Sequence, residues 1–122
     1  MNPPCIAAVW YLVPAVSSSL AKELAKTGLS QAQIAEKLGL TRAAVSQYLS
    51  GKRGTELKLG RQSRRKIKEL AARLAKSETS DAELSLGMCG ICITARREKA
   101  LCGLHKKAGA PKGCSICYGA CA

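Results

Sequence analysis

The sequence predicts an all-α fold: a helix-turn-helix bundle followed by a small, irregular, cysteine-rich module. Three observations carry that expectation. Residues 30–50 read as two short helices joined by a tight turn. Residues 61–76 repeat apolar side chains at helical spacing. Six of the seven cysteines fall within 33 residues near the C-terminal end, in a stretch too poor in large apolar side chains to build a core alone.

Residues 1–5 contain two prolines and read as irregular, with Cys5 a small apolar residue apart from the other cysteines. Residues 6–27 read as helical with a break at Pro14, which is tolerated in a first helical turn. Val16, Leu20 and Leu24 then share one face, Leu12 lies above them, and Gly28 stops the helix. Ser30 is placed to N-cap the next helix, with Gln33 three residues on completing a capping box. Ala35, Leu38, Val45 and Leu49 are spaced to bury the two motif helices against each other. Gly39 marks the turn and Thr41 the cap of the second helix. Gly51 and Gly54 bracket a basic turn, and residues 54–60 are a connector. In 61–76, Ile67, Leu70, Ala71 and Leu74 form an apolar stripe, while Arg61, Arg64, Arg65, Lys68 and Arg73 occupy the rest. Residues 77–86 are acidic and polar, with Ser80 and Glu83 able to cap a short helix. The resulting division is 1–76 helical domain, 77–88 acidic hinge and 89–122 cysteine-rich module.

Charge narrows the partners. The chain has 20 Lys and Arg against 8 Asp and Glu, a formal +12, which favours a polyanion. Residues 61–76 hold seven basic residues and one acidic, directly after the motif. Phe is absent, and Trp10, Tyr11, Tyr48 and Tyr118 are too few aromatics for a single-strand stacking platform. The apolar run 6–16 is shorter than a membrane span and lacks the basic start of a signal peptide, so a cytoplasmic location is expected. No paired-carboxylate, Ser/His/Asp or phosphate-loop constellation is present, and no catalysis is expected.

Ala35 in the first motif helix, Gly39 at the turn, Val45 in the second helix and the closing 48–53 segment (Tyr-Leu-Ser-Gly-Lys-Arg) resemble the helix-turn-helix of the Cro/Xre repressor family. The resemblance spans roughly residues 15–76 and implies a lambda-repressor-like helical bundle. It implies double-stranded DNA as the ligand and a homodimer on two half-sites. By that resemblance the base-reading positions fall on Arg42, Ala43 and Gln47, with Gln31 holding register on the backbone. The chemistry agrees: Arg donates two bonds to guanine, Gln pairs with adenine, and Ala touches a thymine methyl. Thr41 opens the same turn. Ser46, Ser50, Lys52 and Arg53 are placed for phosphates, which set affinity and register. The apolar segment around Trp10 and Leu12 and the cysteine module are both candidate dimer surfaces.

The cysteines run Cys89-x2-Cys92-x9-Cys102-x11-Cys114-x2-Cys117-x3-Cys121, and the two Cys-x2-Cys pairs have metal-ligand spacing. An iron–sulfur cluster and a structural zinc both fit this set, and disulfides are a third reading. His105 lies three residues after Cys102, between a ligand role and a place on a basic surface. The overall impression is of an archaeal-type Cro/Xre transcription regulator with a metal-binding tail. The competing reading is a basic scaffold or antitoxin-like protein whose tail binds a protein partner. A Cys-x2-Cys redox enzyme is disfavoured because no βαβ pattern surrounds the motif.

Overall fold

The computed structural model describes residues 8–54, 57–76 and 79–101. Among the described residues it contains five α-helices and no strand: α1 (Val13–Lys26), α2 (Gln31–Leu38), α3 (Arg42–Leu49), α4 (Arg61–Lys76) and α5 (Asp81–Arg97). A π-helical turn, Ala8–Leu12, leads directly into α1. The change of pitch falls beside Pro14, in the first turn of α1, where a missing N–H is least costly. The break expected there is thus a change of helix type.

One hydrophobic core joins every helix. Leu12 at the end of the π-helical turn and Val16, Leu20 and Leu24 along α1 are fully buried. Around them pack Ile34 and Leu38 of α2, Val45 and Tyr48 of α3, Ile67, Leu70 and Leu74 of α4, and Leu84, Ile91 and Ala95 of α5. Burying each large aliphatic chain contributes about 1.5–3 kcal/mol. The stripes expected in α1 and α4 lie inward. In α3 the partition differs from the expected one. Tyr48 is buried and Leu49 only partly so, because three residues on from Val45 points further into the bundle than four.

Local chemistry sets the helix ends. Ser30 Oγ accepts from Gln33 N–H at 3.2 Å and Gln33 Oε1 accepts from Ser30 N–H at 2.9 Å, the expected capping box. Gly39 ends α2 with φ 65°, a left-handed conformation that lets Leu40 N–H reach the Ala35 carbonyl at 2.9 Å. Thr41 then caps α3 by accepting from Ala44 N–H at 3.1 Å.

The segment after residue 76 departs from expectation. Residues 81–88 were expected in an acidic hinge, and Cys89 and Cys92 at the start of an irregular module. All of them belong instead to the 17-residue helix α5. Ser80 does cap it, accepting from Glu83 N–H at 3.2 Å, but the helix is long. Apolar side chains at Leu84, Ile91 and Ala95 dock it on the common core, and this outweighs the helix-weakening Gly87 and Gly90. Gly87 lets α5 cross α4 closely: a Cβ there would lie 2.9 Å from Leu70 Cδ1. Leu101, fully buried, closes the described chain.

Candidate nucleic-acid interface

Helix α3 is divided lengthwise. Val45 and Tyr48 face the core, with Ala44 and Leu49 beside them partly covered. Arg42, Ala43, Ser46, Gln47 and Ser50 are all exposed. At about 100° per residue these five fall within an arc of about 140° on the opposite side. A helix about 10–12 Å across fits the major groove, so this face meets base edges if α3 enters it.

The N-terminal turn of α3 is the part left most open. Thr41 is exposed, and its oxygen is engaged with the Ala44 amide while its hydroxyl proton stays available to a phosphate. Arg42 is the first residue of the helix. Gln31 stands at the matching position of α2, exposed. Gln33 is not equivalent, since its side-chain oxygen is held in the capping box.

The turn after α3 aims the basic residues. Gly51 (φ 78°) allows Lys52 N–H to bond the Gln47 carbonyl at 3.0 Å. Arg53 lies over the Tyr48 ring, 5.9 Å from guanidinium carbon to centroid. Because Tyr48 is buried in the core, this stacking places a surface cation from inside. Gly54 (φ 75°) is required twice: a Cβ there would also sit 2.5 Å from the Pro14 carbonyl oxygen. The basic turn is therefore clamped against the start of α1. Ser50 Oγ donates to the Gln47 carbonyl at 3.2 Å and reinforces the last turn of α3. Lys22, Lys26, Arg64 and Lys68 rim a groove between α1 and α4 that reaches Leu49. Glu23 and Lys26 pair there at 3.2 Å.

The N-terminus of α4 is held by a residue that local sequence patterns do not reveal. Glu98 accepts from Gln62 N–H at 3.2 Å, from Ser63 N–H at 2.9 Å and from the Ser63 hydroxyl. The Ser63 hydroxyl, opposed by desolvation and aided by the two amides and nearby Arg64, holds the Glu98 carboxyl below the ordinary carboxylate range. This cap comes from 35 residues away. Gly60 makes room for it, since a Cβ there would collide with the Glu98 carboxylate.

Of the expected metal ligands, Cys89 and Cys92 are described, and both are free thiols one turn apart on α5. Burial pushes the Cys92 thiol up; the neighbouring Cys89 adds to that, and Arg96 opposes it. Cys102, Cys114, Cys117, Cys121 and His105 lie outside the described residues, as does Cys5. Among the described residues no three metal-ligating side chains come together. Trp10 is 70% exposed whereas Leu12 is fully buried, so the two residues named for a dimer surface part company.

Residues 20–61 match the protein-family model described as helix-turn-helix. The match runs from the middle of α1 through the basic turn to the first residue of α4. It supports a DNA-binding helix-turn-helix regulator. No curated protein and no solved structure matches the chain. No helix among the described residues is long and apolar enough to cross a membrane.

Proposed function

We propose that the chain is a sequence-specific, double-stranded DNA-binding transcriptional regulator that acts in the cytoplasm as a homodimer. One observation carries the reading. The exposed face of α3 gathers Arg42, Ala43, Ser46 and Gln47 opposite a face locked into the core, inside the segment that matches the helix-turn-helix model. Arg42 and Gln47 read base edges with Ala43 between them, while Gln31, Thr41, Ser46, Ser50, Lys52 and Arg53 hold phosphates. With Ala at 43 and partly covered Ala44, selectivity rests on Arg42 and Gln47.

Selection from a random duplex pool tests this reading. A recurrent sequence bound ~10³-fold or more above scrambled DNA is the expected result. Enrichment of no sequence, with salt-sensitive binding only, would instead favour a basic scaffold. Lys52→Ala and Arg53→Ala should weaken all duplexes alike and make the salt dependence shallower. An unchanged slope would count against phosphate contact.

The second part of the proposal concerns the cysteines. Cys89 and Cys92, free and one turn apart on α5, suit two adjacent ligands of one centre. Cys102, Cys114, Cys117 and Cys121 would supply the others. A zinc ion there would staple the chain, and an iron–sulfur cluster would add sensitivity to oxidation. Anaerobic purification with metal and acid-labile sulfide assays distinguishes them. Protein free of both would remove the metal from the account and leave the DNA interface untouched.

A further inference from the structure

The groove between α1 and α4 combines two features that its place beside α3 does not explain. It has a volume of about 410 Å³ and reaches Leu49, in the last turn of α3. Its floor is apolar: Ala25 and Leu49 are half-buried, and Ile67 is almost fully covered. Its rim is cationic. Lys22 and Lys26 stand one turn apart on α1, Arg64 and Lys68 one turn apart on α4, and all four are exposed. The single carboxylate in the lining, Glu23, is engaged by Lys26 at 3.2 Å. Arg64 already acts on the Glu98 carboxylate. Lys22 and Lys68, on opposite walls, pair with no carboxylate among the described residues. The stems of such lysines add apolar wall below their charges.

We propose that this groove is a binding site for a small amphipathic monoanion, an apolar ring or chain that carries one carboxylate. The apolar part covers Ala25 and Leu49, and the carboxylate is held at the rim by Lys22 and Lys68. The volume falls within the range of small-ligand sites, about 300–1,000 Å³. A cleft whose unbalanced charge is of one sign concentrates ions of the other. The floor decides against inorganic phosphate and against a nucleic-acid backbone. Neither offers apolar surface to replace the water over Ala25 and Leu49. The rim decides against a docking helix from a protein partner. Each row of cations spans one turn, about 6 Å, whereas a helix of eight residues is about 12 Å long and would overrun it. Leu49 gives the site a consequence, because it ends the helix whose exposed face carries Arg42 and Gln47. A bound anion adds negative charge beside that helix and should weaken its hold on a duplex. That consequence rests on the DNA-binding reading; the site itself does not.

The test is a titration of the full chain, without DNA, with naphthalene-2-carboxylate and with decanoate, followed through amide NMR shifts. The two probes distinguish an aromatic from an aliphatic occupant. The expected result is saturable one-to-one binding of at least one of them, with a Kd below about 1 mM. The shifts should centre on Ala25, Leu49 and Lys68, and inorganic phosphate should not reproduce them. Lys22→Gln together with Lys68→Gln should weaken binding by about tenfold. Both positions are exposed, so helix content by circular dichroism should stay unchanged. Ala25→Leu, which fills the floor, should weaken binding while leaving the lysines in place. Absence of saturation by either probe would overturn the proposal. So would shifts centred elsewhere, as at exposed Leu86, or an affinity unchanged in the double variant. Phosphate bound as tightly as the carboxylates would also overturn it and make the groove a plain anion surface. Duplex affinity is measured separately, with and without the carboxylate, so failure of the site and failure of the DNA-binding reading are told apart.

Discussion

Glu98 closes the bundle through a single carboxylate. Its bonds to Gln62 and Ser63 satisfy amides at the positive end of α4 and tie the end of α5 to the start of α4. Glu98→Ala should lower unfolding free energy by about 1 kcal/mol at neutral pH, as loss of a helix cap does. Because the folded-state pKa is depressed, this contribution is present above the ordinary carboxylate range. It fades as pH falls through the lower folded value. Chemical denaturation of wild type and variant at neutral and acid pH should show the difference shrinking toward acid; a constant difference would deny the charge its role. Gly54 is a second single residue on which the packing depends, since it holds the basic turn against the start of α1. Gly54→Ala meets both a left-handed φ and the Pro14 carbonyl, so a loss of more than about 1–2 kcal/mol is expected. Weaker binding to all duplexes should accompany it, read by thermal melting and a binding titration together.

At the level of elements, the helices that sequence alone located are those whose signals are local. Ser30 with Gln33, Gly39 and Thr41 are each within a few residues of the amide or turn they serve, so α2 and α3 were legible to within a residue. Helix α5 was not. Gly87 and Gly90 read as turn-forming, and its acidic start reads as a linker. Its apolar residues lie on two faces, which blurs the periodicity that reveals a one-sided helix. Only contact with Leu70 and the shared core turns that ambiguous stretch into a helix. The Glu98 cap was invisible for a related reason, since nothing near Gly60 in sequence points to a partner 35 residues away. The end of α5 also carries a correctable cost. Lys99 takes φ 66° so that Ala100 N–H can reach the Ala95 carbonyl at 3.0 Å. Lys99→Gly should stabilise the fold by about 1 kcal/mol, seen as a raised denaturation midpoint. Thr41→Ala should cost about as much, because its hydroxyl caps α3, and under the proposed function it should weaken DNA binding as well.

Across the whole molecule, the sequence conveyed the class of fold and which polar residues of α3 lie away from the core, because a buried stripe leaves its complement outside. It did not convey which surfaces of the finished bundle face one another or lie open. The placement of Arg53 over Tyr48 and the double-faced α5 belong to that second kind of information. Under the proposed function, the core fixes one polar face of α3, the basic turn after it would bind the phosphate backbone, and Arg42 and Gln47 would supply the sequence preference.

The measurement that tests this most directly is the affinity of wild type and Arg42→Ala for the selected duplex and a scrambled one at several salt concentrations. The account predicts a loss of about 1–3 kcal/mol on the selected duplex, relaxed preference at one base pair, and little change on scrambled DNA. Equal losses on both duplexes would make Arg42 a phosphate contact and contradict the claim that α3 reads bases.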